Sequence, residues 1–158
     1  MISNKMEDIY PLILDAFNNN QKFRFPVKGT SMRPMLKDND SVTIEKVNNV
    51  VRGDIILYKR DNGQFVLHRV IKVHDNLYDI VGDHQTGIEY NVRYDQLIGK
   101  VISYYKKGKE KEYKLLGFRY NLYKFGCRFK LRRWFNSKLS WKLKRNIQWY
   151  YLCLVYYR

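Results

Sequence analysis

A chain of 158 residues with a net charge of +15 makes one domain with room for a short appendage, and 45% hydrophobic residues suffice for a packed core. A disulfide-built secreted module is excluded as the default, because the two cysteines, Cys127 and Cys153, fall late and in no metal-ligand spacing. The charge is uneven: residues 1–112 hold 18 Lys/Arg against all 15 Asp/Glu, whereas residues 113–158 hold 12 Lys/Arg, no acid, all three tryptophans and 14 of the 25 aromatics. That shift places a compact domain over 1–112 and a basic aromatic appendage over 113–158.

Met1–Asn20 carries an apolar run that Glu7, Asp8, Pro11 and Asp15 interrupt before a signal-peptide core forms. Met6–Phe17 reads as a short helix ended by the Asn18-Asn19-Asn20 turn. Phe23–Val27 alternates apolar and basic residues as a strand does, and the Gly29-Thr30-Ser31 turn follows. After the Lys37-Asp38-Asn39-Asp40 turn, Val42, Ile44 and Val47 suggest a second strand. Gly53-Asp54 reads as a turn into the next strand, with Asp54 structural. Ile55–Lys59 and Phe65–Val73 flank Asp61-Asn62-Gly63, the strongest hairpin signal in the chain. Tyr78–Val81 and Leu97–Tyr104 complete a set of short strands, which predicts a mainly β domain, a sandwich or a folded-over sheet, without internal repeats.

From Leu115 the pattern turns helical. Leu131, Trp134, Phe135, Leu139 and Leu143 recur among Arg132, Arg133, Lys138, Lys142, Lys144 and Arg145, the signature of an amphipathic basic helix. The apolar stretch Ile147–Tyr157 is shorter than the about 20 residues a membrane-spanning helix needs. The expected location is therefore the cytoplasm or a membrane surface.

Two elements can carry chemistry together. Ser31 sits in a tight Gly-led turn, and His68 lies on a later strand that alternation places on one face with Val66 and Val70. An isolated Gly-x-Ser is more often a turn cap, and a lone histidine on an apolar face more often a satisfied core residue. The combination reverses that preference, since a serine nucleophile needs a base supplied from another element. Met32 would pack beneath the turn while Pro34 stiffens its exit, which suits a hydroxyl held at one position. Neutral imidazole, with a reference pKa of about 6.5, is available as a base at pH 7. Val81-Gly82-Asp83-His84 is the third element: Asp83, or Glu89 six residues later, would accept a hydrogen bond from His68, with Asp83 preferred. His74 and His84 have no spacing that supports a metal site, and no cofactor is expected.

Gly29-Thr30-Ser31-Met32-Arg33-Pro34 resembles the nucleophile box of the signal peptidase I and LexA-type serine endopeptidases. Asp38–Val42 and Arg52–Ile56 look like the two boxes that follow it, and Gly82-Asp83 like the final one, so the likeness covers residues 25–103. His68-Arg69-Val70-Ile71 falls where bacterial members carry a lysine base, which is similar to the branch found in the endoplasmic reticulum, archaea and some sporulating bacteria. In that branch an ungapped count puts the acid at Glu89. The resemblance implies a signal-peptidase/LexA-like folded β-sheet and a serine endopeptidase working through a Ser31–His68 dyad or a triad. Its substrates would be extended leader or signal peptides with small residues before the cut. Gly29 and Thr30 would shape the oxyanion turn, although bacterial signal peptidases carry a second serine where this chain has Gly29.

Two other departures bear on the setting: signal peptidases have transmembrane anchors and LexA-type proteins a leading DNA-binding domain, and neither is expected here. A catalytically inactive peptidase-fold binding module is the first alternative, against which stands the retention of both Ser31 and His68. For the basic appendage, an anionic membrane surface or a membrane-protein partner ranks ahead of nucleic acid, because its apolar residues fall at helical spacing.

Overall fold

The computed structural model describes residues 6–109 and 112–114. The first element, α1 (Met6–Asn18), buries Ile9, Ile13, Ala16 and Phe17, which fall on one helical face. Glu7 and Asp8 in its first turn complement the positive end of the helix dipole. The asparagine run ends the helix: Gln21 N–H donates to the Ala16 carbonyl at 2.8 Å, and Asn20 takes a left-handed conformation (φ 54°) that asparagine tolerates.

Eight strands follow: β1 (Phe23–Pro26), β2 (Ser41–Lys46), β3 (Ile55–Lys59), β4 (Phe65–His74), β5 (Leu77–Val81), β6 (Glu89–Arg93), β7 (Leu97–Tyr105) and β8 (Glu112–Lys114). They form one antiparallel sheet in the order β1-β2-β7-β3-β4-β5-β6, with β8 added to the end of β7. The mainly β architecture with a short N-terminal helix agrees with the reading of the sequence. β6 and β8 were not foreseen, and β8 carries the sheet two residues past the boundary placed at 112. The helix expected in the appendage lies outside the described residues.

β3 is buried on both faces, which explains its unbroken apolar run. Ile55 and Leu57 join Ile13, Phe17, Phe25, Ile44 and Met35 in one core cluster, while Ile56 and Tyr58 join Val70, Ile80 and Val92 in a second. The β3–β4 hairpin closes through Arg60 N–H to Gln64 O (2.9 Å), with Gly63 at φ 86° supplying the left-handed residue. Its register sets Ile56 opposite His68 and Tyr58 opposite Val66, so His68 and Tyr58 rise on one face as diagonal neighbours. No helix among the described residues is long and apolar enough to cross a membrane.

Candidate active site

Ser31 lies in a loop whose two ends are pinned together. Val27 N–H donates to Asp40 O at 2.7 Å and Asn39 N–H donates to Val27 O at 2.8 Å, so residues 28–38 project as a closed excursion. Within it Gly29 N–H donates to Asp38 Oδ1 (2.8 Å) and Arg33 N–H to Thr30 O (3.1 Å), tightening the turn around the serine. Met32, Met35 and Leu36 anchor the loop in the first core cluster, so Met32 does pack beneath the turn. Its far end is held by Asp40, which accepts Lys37 N–H and Lys107 N–H at 2.9 Å and the Lys106 ammonium at 3.3 Å. Gly29 has φ 95° with open space around its Cα, so a serine there would be disfavoured by backbone strain and not by crowding.

His68 is only 2% exposed. Its Nδ1 lies 3.3 Å from the Tyr58 hydroxyl and 3.4 Å from Glu89 Oε1. Glu89 is gripped in turn by Arg60, through Nε to Oε2 at 2.8 Å and through Nη2 to Oε1, while Arg60 Nη1 turns to Gln64. Burial lowers the His68 pKa below its ordinary value; the Glu89 charge opposes this and the Arg60 charge adds to it. Burial pushes Glu89 upward, but hydrogen bonds from Arg60 and Tyr58 outweigh it and hold the carboxylate below its usual range. Tyr58 is driven well above the ordinary tyrosine value, first by burial and then by its hydrogen bond to Glu89, so it stays protonated.

The other edge of His68 meets the loop after β5. A Cβ on Gly82 would stand 3.0 Å from His68 Nε2, 2.8 Å from the Ser31 carbonyl oxygen and 2.8 Å from Gln85 Oε1. Glycine is therefore required here by close approach, and it marks where the serine turn and the imidazole converge. His84 N–H donates to Ser31 O at 2.7 Å, which fastens the two loops. Ser31 and His68 line one cleft of about 210 Å³, with Val27, Phe65 and Leu67 as apolar wall.

The preference for Asp83 over Glu89 as the partner of His68 needs correction. Asp83 gives both carboxylate oxygens to Arg69, at 2.8 Å each, and this pair is buried. Arg69 also donates to Gly53 O at 2.8 Å and contacts Met35 Sδ at 3.1 Å, so it ties β4 to the serine loop and to the turn before β3. Asp83 acts on His68 as a nearby charge, and the carboxylate beside Nδ1 belongs to Glu89.

A family model described as Peptidase S24-like matches residues 2–102, well over half of the chain. The chain belongs to the Peptidase S24-like family. This places it in the superfamily of LexA and signal peptidase I, in line with the resemblance read from its boxes. No curated protein matches the chain. The S24-like match contains Ser31, His68, Asp83 and Glu89 and stops short of the basic appendage. The S24-like family includes inactive members, so membership gives a peptidase-like fold and leaves the chemistry to the geometry.

The remaining sequence candidates have structural surroundings. Asp54 accepts Val51 N–H at 2.9 Å and closes the turn into β3. His74, at the end of β4, lies 3.0 Å from Asp79 Oδ2, and no metal-binding group of three or more ligands occurs among the described residues. Sequence reasoning missed Tyr58 and Arg60. The Asp61-Asn62-Gly63 hairpin was the signal that could have found them, since its register alone sets Tyr58 diagonally across from His68.

Proposed function

We propose that this S24-like domain is a serine endopeptidase in which Ser31 is the nucleophile and His68 its general base. The observation that carries the reading is the two-sided setting of His68: Nε2 faces Gly82 at the serine turn, while Nδ1 faces Tyr58 and Glu89. Ser31 Oγ attacks the scissile carbonyl as His68 takes its proton, and the imidazolium then protonates the leaving amine. Glu89, kept ionised by Arg60, compensates the charge that forms on the ring. With Gly29 at the position of the second serine, oxyanion stabilisation falls to backbone N–H groups, that of Ser31 first. The substrate is an extended leader-like peptide laid along the cleft against Val27, Phe65 and Leu67. Residues 113–158 bring the domain to an anionic membrane surface or a membrane-protein partner.

Mass spectrometry tests this directly. Purified protein is incubated with a library of leader-like peptides, with and without anionic vesicles. Discrete internal cuts are expected, whereas peptides that bind and stay whole would favour the inactive binding module.

The pH dependence has a definite sign. Burial lowers the His68 pKa, so the neutral, basic form prevails from below pH 6.5 upward. A pH profile of kcat/KM is expected to rise through a single pKa below about 6.5 and to be flat by neutrality. A rise near pH 9–10 would point to a lysine-like base instead.

Gly82→Ala supplies a geometric check. The added methyl must displace the Ser31 carbonyl, which is backbone, or the His68 ring. Misplacement on that scale is expected to lower kcat by about 100-fold, measured by steady-state cleavage with circular dichroism to verify folding.

A further inference from the structure

We infer that Tyr58 is a positioning residue of the site, sharing the Nδ1 edge of His68 with Glu89 and fixing which imidazole nitrogen is free to act as base. This rests on the Ser31–His68 reading and deepens it. Glu89, ionised between Arg60 and Tyr58, can only accept hydrogen bonds. Nδ1, 3.4 Å from Glu89 Oε1, faces an oxygen that can only accept, and the fully buried Tyr58 keeps its own proton.

The phenolic oxygen, 3.3 Å from His68 Nδ1, is then left as an acceptor. Its two lone pairs have room for the Nδ1 proton. Nδ1 therefore carries the proton, and Nε2, the edge at Gly82 beside the serine turn, is the bare nitrogen. When Nε2 gains a proton during attack, the Nδ1 proton stays in place. The positive charge is met by Glu89, 3.4 Å from Nδ1, and no proton need leave Tyr58.

The backbone supports this aim. β3 shifts register against β7 between Leu57 and Tyr58, a bulge at the residue that must point at His68.

Tyr58→Phe removes the hydroxyl and keeps the buried ring, so the fold is expected to survive. Nitrogen-15 NMR of the His68 imidazole in the wild type should show the Nδ1–H tautomer. In the variant it should show a mixture of tautomers, with faster exchange of the Nδ1 proton. The kcat for peptide cleavage should fall at least roughly ten-fold, the effect of one lost hydrogen bond to a developing charge, with KM unchanged. Glu89→Gln should cost less in the Tyr58→Phe background than in the wild type, because both groups act on the same Nδ1 proton.

An unchanged tautomer and unchanged kcat in Tyr58→Phe would overturn the inference, as would strictly additive losses in the double variant. If Ser31 and His68 do not form a peptidase site, the wild type cuts nothing. The imidazole spectra still report on Tyr58, so the two failures are told apart.

Discussion

Ser31→Ala is expected to lower kcat for peptide cleavage by roughly ten-thousand-fold or more, and His68→Ala by a similar factor. The alanine at 31 removes the only atom that bonds to the substrate carbonyl in the proposed chemistry. The loop should not notice, because the contact that Ser31 makes with its neighbours runs through its backbone: its carbonyl accepts His84 N–H. Loss of His68 leaves the hydroxyl without a base and also opens a cavity beside Tyr58, so Ser31→Ala is the cleaner variant. The two residues act as a unit, and the double variant should be no slower than the worse single one. Product quantification by mass spectrometry, with thermal melts of each variant, checks this. Cleavage retained in a folded Ser31→Ala protein would sink the serine mechanism outright.

Arg69→Met should destabilise the domain by about 3–5 kcal/mol, the usual effect of stripping one partner from a buried ion pair. Arg69 is 2% exposed, and its loss removes the guanidinium that bonds both oxygens of the buried Asp83 carboxylate. It also releases Gly53 O and the Met35 contact, so the turn before β3 and the serine loop loosen together. For a domain of this size the melting temperature should drop by more than about 10 °C. Replacing both partners, Arg69→Met with Asp83→Leu, should recover much of the loss, since no buried charge is then left alone. Calorimetry of the single and double variants measures it. A single variant as stable as wild type would mean that Arg69 does not hold the loops.

Much of this architecture was legible in the chain, for identifiable reasons. The face of Ile9, Ile13 and Phe17 and the asparagine run gave α1, and the Asp61-Asn62-Gly63 turn gave the β3–β4 hairpin. β6 escaped because it is a polar edge strand, Glu-Tyr-Asn-Val-Arg, in which only Val92 is buried and Asn91 is left-handed. Ser31 and His68 stood out through their boxes. The choice between Asp83 and Glu89 did not, because it depends on which carboxylate Arg69 claims and which Arg60 holds, and both pairings join residues distant along the chain. Tyr58 read simply as an apolar strand residue; its place beside His68 comes from the pairing register of β3 and β4.

The strand order has a consequence for when the site can exist. Ser31 follows β1 and precedes β2, while His68 and Glu89 lie on β4 and β6, and no ladder joins β2 to β3 directly. Their common neighbour is β7, Leu97–Tyr105, the seventh strand along the chain. A growing or truncated polypeptide that stops before residue 97 carries Ser31, His68 and Glu89 but lacks the strand that joins β2 to β3. On the proposed reading, Ser31 and His68 come to share one sheet only when β7, late in the chain, has been made.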